Sequence, residues 1–130
     1  MVKNIWLINM SAMPPHLEPR LQTIKLAQYL GEKGYDVKIF ASSVMHNMDM
    51  NIIEDASPYV ERCYGNVHFV HINTLQYGKS RVKRIINALQ FIHKVVKLAH
   101  KFPNPDVIIH VPGFLLGYKI ANLAKKLGAK

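Results

Sequence analysis

Any chemistry in this chain falls to a few polar residues that stand at the ends of apolar runs. Asn9 and Ser11 follow Ile5-Trp6-Leu7-Ile8. Ser42 and Ser43 follow Val37-Lys38-Ile39-Phe40-Ala41, and Asn73-Thr74 follows the run from Val67 to Ile72. His110 closes Val107-Ile108-Ile109, with Gly113 three residues further on. If each run is a strand of one parallel sheet, these exits share an edge, the edge beyond which ligands of such sheets collect. Hydroxyls and amides there suit sugar or phosphate oxygens, and Gly113 lets a backbone come close. His110 adds a ring able to act as acid, base or hydrogen-bond donor near neutral pH. The plainer reading of the same residues is that turns need small polar groups.

A second cluster lies in the first loop, where His16, Glu18 and Arg20 fall within five residues. They stand at the mouth of the first helix, where free N–H groups and the helix dipole favour an anion. Arg20 offers a two-pronged clamp for a phosphate or carboxylate. A surface pairing of Glu18 with Arg20 is the simpler alternative. The histidines do not suggest a metal: His68 and His71, three apart on a strand, face opposite ways, and neither has a Cys, Asp or Glu at a zinc-type spacing. No Gly-x-Gly-x-x-Gly, Gly-Lys-Ser/Thr or Gly-x-Ser-x-Gly motif is present, which argues against dinucleotide-dependent hydride transfer, P-loop hydrolysis and serine-esterase chemistry. No cofactor is expected.

Charge is the strongest compositional anomaly. The 130 residues hold 17 Lys and Arg against 8 Asp and Glu, a formal net charge of +9. Lys79, Arg81, Lys83, Arg84, Lys94, Lys97 and Lys101 follow one another between Gly78 and Phe102 with no acid among them. Such a segment seeks anionic partners: lipid headgroups, phosphorylated small molecules or nucleic acid. Nucleic acid fits least, because Phe91 is the single aromatic able to interleave with these cations and no recognised nucleic-acid fold emerges. No apolar run approaches the ~20 residues of a membrane span. Met1-Val2-Lys3-Asn4 leads straight into a strand instead of a signal peptide, and lone Cys63 makes no disulfide framework. A cytoplasmic protein is expected, with peripheral contact to the inner face of the plasma membrane through the basic residues.

The elements that must position these residues follow from periodicity. Val2–Asn9, Tyr35–Ala41, Val67–Ile72 and Asp106–Val111 read as strands. Helices are expected from Pro19 to Leu30, from about Arg81 to His100, and from Leu116 to Leu127. In the second helix, Ile85, Ile86, Leu89, Ile92, Val96 and Ala99 are expected to line the packed face. Val44–Asn66 has no clear period and is expected to be a long irregular excursion. Long crossovers make the sheet parallel, so the fold class is α/β: a Rossmann-like parallel sheet with helices on both faces. Gly128 reads as a helix C-cap leading toward a further strand, so residues 1–130 are expected to be the front part of a larger α/β protein.

Ile5-Trp6-Leu7-Ile8-Asn9, Pro14-Pro15, Arg20 and the stretch from Leu26 to Ser43, with its Leu-Ala-x-x-Leu-x-x-x-Gly-x-x-Val pattern, resemble the opening of family-4 glycosyltransferases of the GT-B fold. Pro105-Asp106-Val107-Ile108-Ile109-His110 is similar to a later strand and loop of that family. The resemblance covers essentially the whole chain as an N-terminal, acceptor-side domain. It implies sugar transfer from a nucleotide sugar to a lipid-linked glycan acceptor in surface-polysaccharide synthesis. The donor sits mainly on a C-terminal domain absent from these residues, so this piece alone is not expected to turn over. Arg20 carries over to the family's first loop, but His16-Leu17-Glu18-Pro19 stands where the family usually has a glycine pair. His110 matches an active-site histidine of the family only to within a residue or two. The alternative is a stand-alone anion- or nucleic-acid-binding module.

Overall fold

The computed structural model describes residues 3–14, 22–45, 50–74, 76, 80–110 and 117–129. Their elements are β1 (Asn4–Ile8), α1 (Gln22–Glu32), β2 (Asp36–Ser42), β3 (Val44–Met45), β4 (Met50–Asn51), β5 (Tyr59–Tyr64), β6 (Val67–Ile72), α2 (Arg81–Leu98), β7 (Val107–His110) and α3 (Gly117–Leu127). A short 3₁₀ turn, Ala99–Lys101, follows α2. The main sheet runs β5-β6-β2-β1-β7. Strands β1, β2, β6 and β7 are mutually parallel.

The sheet is mixed, which corrects the expectation of a wholly parallel one. Strand β5 pairs antiparallel with β6, with Tyr64 opposite Val67 across the Gly65-Asn66 turn. Gly65 adopts φ +65°, a conformation most side chains resist. The supposedly irregular stretch therefore supplies one edge strand and, through β3 and β4, a two-stranded antiparallel clip. Its strand went unread because Tyr59-Val60-Glu61-Arg62-Cys63-Tyr64 contains no apolar run: the strand lies at the margin and exposes Glu61, Arg62 and Cys63.

Alternation along the strands divides the core into two layers. Ile5, Leu7, Val37, Ile39, Ala41, Val67 and Phe69 meet Ile24 and Ala27 of α1 on one face. Trp6, Ile8, Phe40, Val70 and Ile72 meet α2 and α3 on the other. The second layer is centred on an aromatic cluster, with Trp6 and Phe40 rings 4.7 Å apart and Phe102 edge-on to Phe40 at 5.3 Å. Helices thus cover both faces, as expected. Among the described residues no helix is long and apolar enough to cross a membrane.

The packed face of α2 is only in part the expected one: Ile92 and Ala99 are buried as expected, and the other four are not. Ser80 caps the helix by accepting a bond from the Lys83 N–H at 3.2 Å. Asn87, Ala88, Phe91, Ile92, Val95 and Leu98 then turn inward. Ile85, Ile86, Leu89 and Val96 face solvent instead. The helix carries two apolar stripes at helical spacing, and the one holding Phe91, its largest apolar side chain, gains most from burial.

Candidate functional site

The site grows out of the order of the strands. From β1 the chain crosses through α1 on one face to β2, whereas from β6 it crosses through α2 on the opposite face to β7. Strands β1 and β7 are neighbours, and the helices that follow them, α1 and α3, lie on opposite faces of the sheet. A crevice between such exits is where open α/β sheets bind ligands.

His110 lies at that crevice, paired in register with Ile8. Its half-buried ring borders a cavity of about 410 Å³ lined by Ile108, Ile120, Ala121, Ala124 and Lys125. Burial pushes the imidazole below its ordinary pKa of 6.5, so it is neutral near pH 7. A neutral ring at this place can accept a hydrogen bond or a proton from a ligand hydroxyl.

On the β1 side, buried Asn9 organises the exit. Its amide donates to Thr23 Oγ1 in the first turn of α1 at 2.9 Å, and its Oδ1 accepts the Ser11 N–H at 3.1 Å. The Asn9 backbone N–H bonds to Phe40 O at 3.0 Å, and the Ser42 N–H to Met10 O at 3.1 Å. The loop is therefore fastened on both sides while Ser11 stays exposed. His16, Glu18, Arg20, Gly113 and Lys79 lie outside the described residues.

The exits of β2 and β6 stand apart from the crevice and are occupied by internal bonds. Ser42 Oγ lies 2.7 Å from Thr74 Oγ1 and accepts the Val44 N–H at 3.0 Å. Asn87 Nδ2 donates to the same Thr74 oxygen at 2.7 Å. Asn73 donates to Ser57 O at 2.9 Å and accepts from Asn51 at 3.3 Å. Lys94, expected at an anion surface, directs its ammonium to Asn73 O at 2.6 Å. Ser43 is buried, and its Oγ meets no hydrogen-bond partner among the described residues. These groups hold loops to α2. Arg81, Lys83, Arg84 and Lys97 are exposed on α2.

Two features escaped the sequence reading. His71 is fully buried. Its Nε2 is 3.1 Å from Tyr64 OH, and its ring stacks on Phe69 with centroids 5.0 Å apart. Burial pushes its pKa down to about 4, with Arg62 adding to the effect and the Ser42 backbone opposing it. The alternation of β6 placed His71 on a face, but only the α1 layer makes that face dry. A polar cavity of about 680 Å³, bordered by Asn51, Glu54, Asp55, Ser57 and Arg62, separates the β4 exit from β5. It could not be foreseen without β5. Among the described residues no three His, Cys, Asp or Glu side chains gather closely enough to hold a metal.

No protein-family model matches this chain, and no curated protein is significantly similar to it in sequence.

Proposed function

We propose that this chain is the acceptor-side domain of a glycosyltransferase of the GT-B type, working with a donor-binding domain outside these residues. The observation that carries the reading is the strand order, which makes neighbours of the carboxyl ends of β1 and β7: Asn9 fastens the first exit to α1, Ser11 is exposed there, and neutral His110 closes the second beside a cavity under α3. The likeness of the Leu26–Ser43 stretch to family-4 glycosyltransferases supports it from the sequence side. In this reading His110 receives a hydrogen bond from the acceptor hydroxyl, and Arg20 grips the phosphate of a lipid-linked glycan on the cytoplasmic side. The nucleotide-sugar donor is held mainly by the other domain.

Titration of the isolated chain with a water-soluble sugar phosphate and with a nucleotide sugar, followed by backbone amide shifts, tests the proposal. The expected result is saturable shifts around Ser11 and His110 with the sugar phosphate, abolished by Arg20→Ala and weakened by His110→Ala. Tight nucleotide-sugar binding together with sugar transfer by these residues alone would overturn it. The alternative of a nucleic-acid module is disfavoured by Lys94, whose ammonium is committed to a strand-exit carbonyl.

A further inference from the structure

The outward side of α2 has the composition of a surface that something apolar covers. Val82 is 68% exposed, Ile85 42%, Ile86 39%, Leu89 38% and Val96 37%. At 3.6 residues per turn these five fall within about 100° of the helix circumference, on the side away from Phe91 and Val95. From Val82 to Val96 the stripe runs about 21 Å along the helix, with exposed His93 on the same side.

What surrounds the stripe identifies the occupant. Arg81, Lys83 and Lys97 are exposed on the flanks of the stripe, and Lys125 and Lys126 on α3, which packs against the same sheet face. From Arg62 to Lys130 the chain holds twelve Lys and Arg and one acid, Asp106. Asp106 is engaged at the opposite end of the sheet, where its Oδ2 accepts the Lys3 and Asn4 N–H groups at 2.8 and 2.9 Å. A protein interface is depleted in Lys at its centre and favours aromatic anchors, yet α2 exposes no Phe, Tyr or Trp. A nucleic-acid backbone would use the cations and leave five aliphatic side chains without a role. Aliphatic side chains flanked by long cationic ones suit the boundary of an anionic bilayer, where the former enter the acyl region and the latter reach back to the headgroups.

The structure assigns the outer face of α2 as a docking surface for an anionic lipid bilayer, on which the helix lies flat with Val82, Ile85, Ile86, Leu89 and Val96 inserted. This goes beyond the acceptor reading and does not depend on it, since lipid binding and sugar-phosphate binding are measured separately.

Flotation of the full chain with vesicles of phosphatidylcholine alone, and of phosphatidylcholine with phosphatidylglycerol, tests the assignment. The chain should float with the mixed vesicles only, and Ile85→Ser with Leu89→Ser should weaken this about tenfold or more with the melting temperature unchanged. In a Val82→Trp variant, brominated acyl chains should quench part of the emission that they leave intact in the parent with buried Trp6. Flotation that the double serine variant retains in full, or an absence of bromine quenching, would reduce the surface to electrostatic adsorption and overturn the assignment. So would a duplex oligonucleotide that the parent and the serine variant bind equally and as tightly as the mixed vesicles bind the parent.

Discussion

Ser42 Oγ and Thr74 Oγ1 lie 2.7 Å apart in the interior, although 32 residues separate them in the chain. This bond joins the exits of β2 and β6, and Asn87 brings α2 into the same junction through the same Thr74 oxygen. Three elements therefore meet on one hydroxyl.

Replacing Thr74 with Val keeps the shape and removes that oxygen. Buried Ser42 and Asn87 each lose a partner, and unpaired buried polar groups are costly. Urea unfolding of Thr74→Val should show a loss of about 3 kcal/mol. Thr74→Ser, which keeps the oxygen and loses a methyl, should cost about 1 kcal/mol.

His71 gives stability a pH dependence of definite sign. Its pKa is about 4 in the fold against an ordinary 6.5, so between these values the unfolded chain binds a proton that the folded chain refuses. Stability is therefore fully present above pH 6.5, declines as pH falls toward 4 and levels off below. The decline attributable to His71 is on the order of 3 kcal/mol. His71→Phe should flatten most of this slope, leaving the smaller contribution of His110, whose pKa burial also lowers. Urea midpoints measured from pH 7.5 to 4.5 would check it.

Asn9 and Thr23 should behave as a coupled pair. Their 2.9 Å bond is buried and fixes the β1 exit against α1. Asn9→Ala should cost about 2 kcal/mol, because Ser11 N–H loses its acceptor as well. In a double-mutant cycle with Thr23→Val the coupling should reach about 1 kcal/mol. Additive losses would show that the bond contributes nothing of its own.

At the β5–β6 turn, a Cβ added to Gly65 meets no atom within 4 Å, so Gly65→Ala tests the φ of +65° free of any clash. A loss of about 1 kcal/mol is expected. Faster amide exchange should be confined to β5 and its partner groups in β6.

Much of the architecture was legible because apolar runs with polar ends announce parallel strands. The starts and ends of β1, β2, β6 and β7, and of all three helices, fall within a few residues of those read from periodicity. Strand β5 was hidden because an edge strand that exposes its middle residues and touches the core through Tyr59 and Tyr64 at its ends needs no apolar pattern, although Gly65-Asn66 beside Val67 was a usable turn signal. The inward side of α2 was misread because Ile85, Ile86, Leu89 and Val96 satisfy helical spacing as well as Ala88, Phe91 and Val95 do. Periodicity finds a stripe and cannot say which of two stripes meets the sheet. The polar exits were visible one at a time. Their division into a crevice at β1 and β7 and a set of internal struts at β2 and β6 depends on strand order and on Thr74, Asn87 and Lys94, which tertiary contact alone brings together.

The two margins of the sheet differ in how they meet other polypeptides. Strand β5 shows Glu61 and Arg62 to solvent, and charges on a border strand discourage a further strand from adding to it. Strand β7 is Val-Ile-Ile-His, with Ile109 38% exposed and no charged Lys, Arg, Asp or Glu in its length. Among the described residues the risk of mispairing and of aggregation is therefore concentrated on β7, and a further strand adding there would remove it. A charge introduced by Ile109→Lys is the change that would even out the two sides.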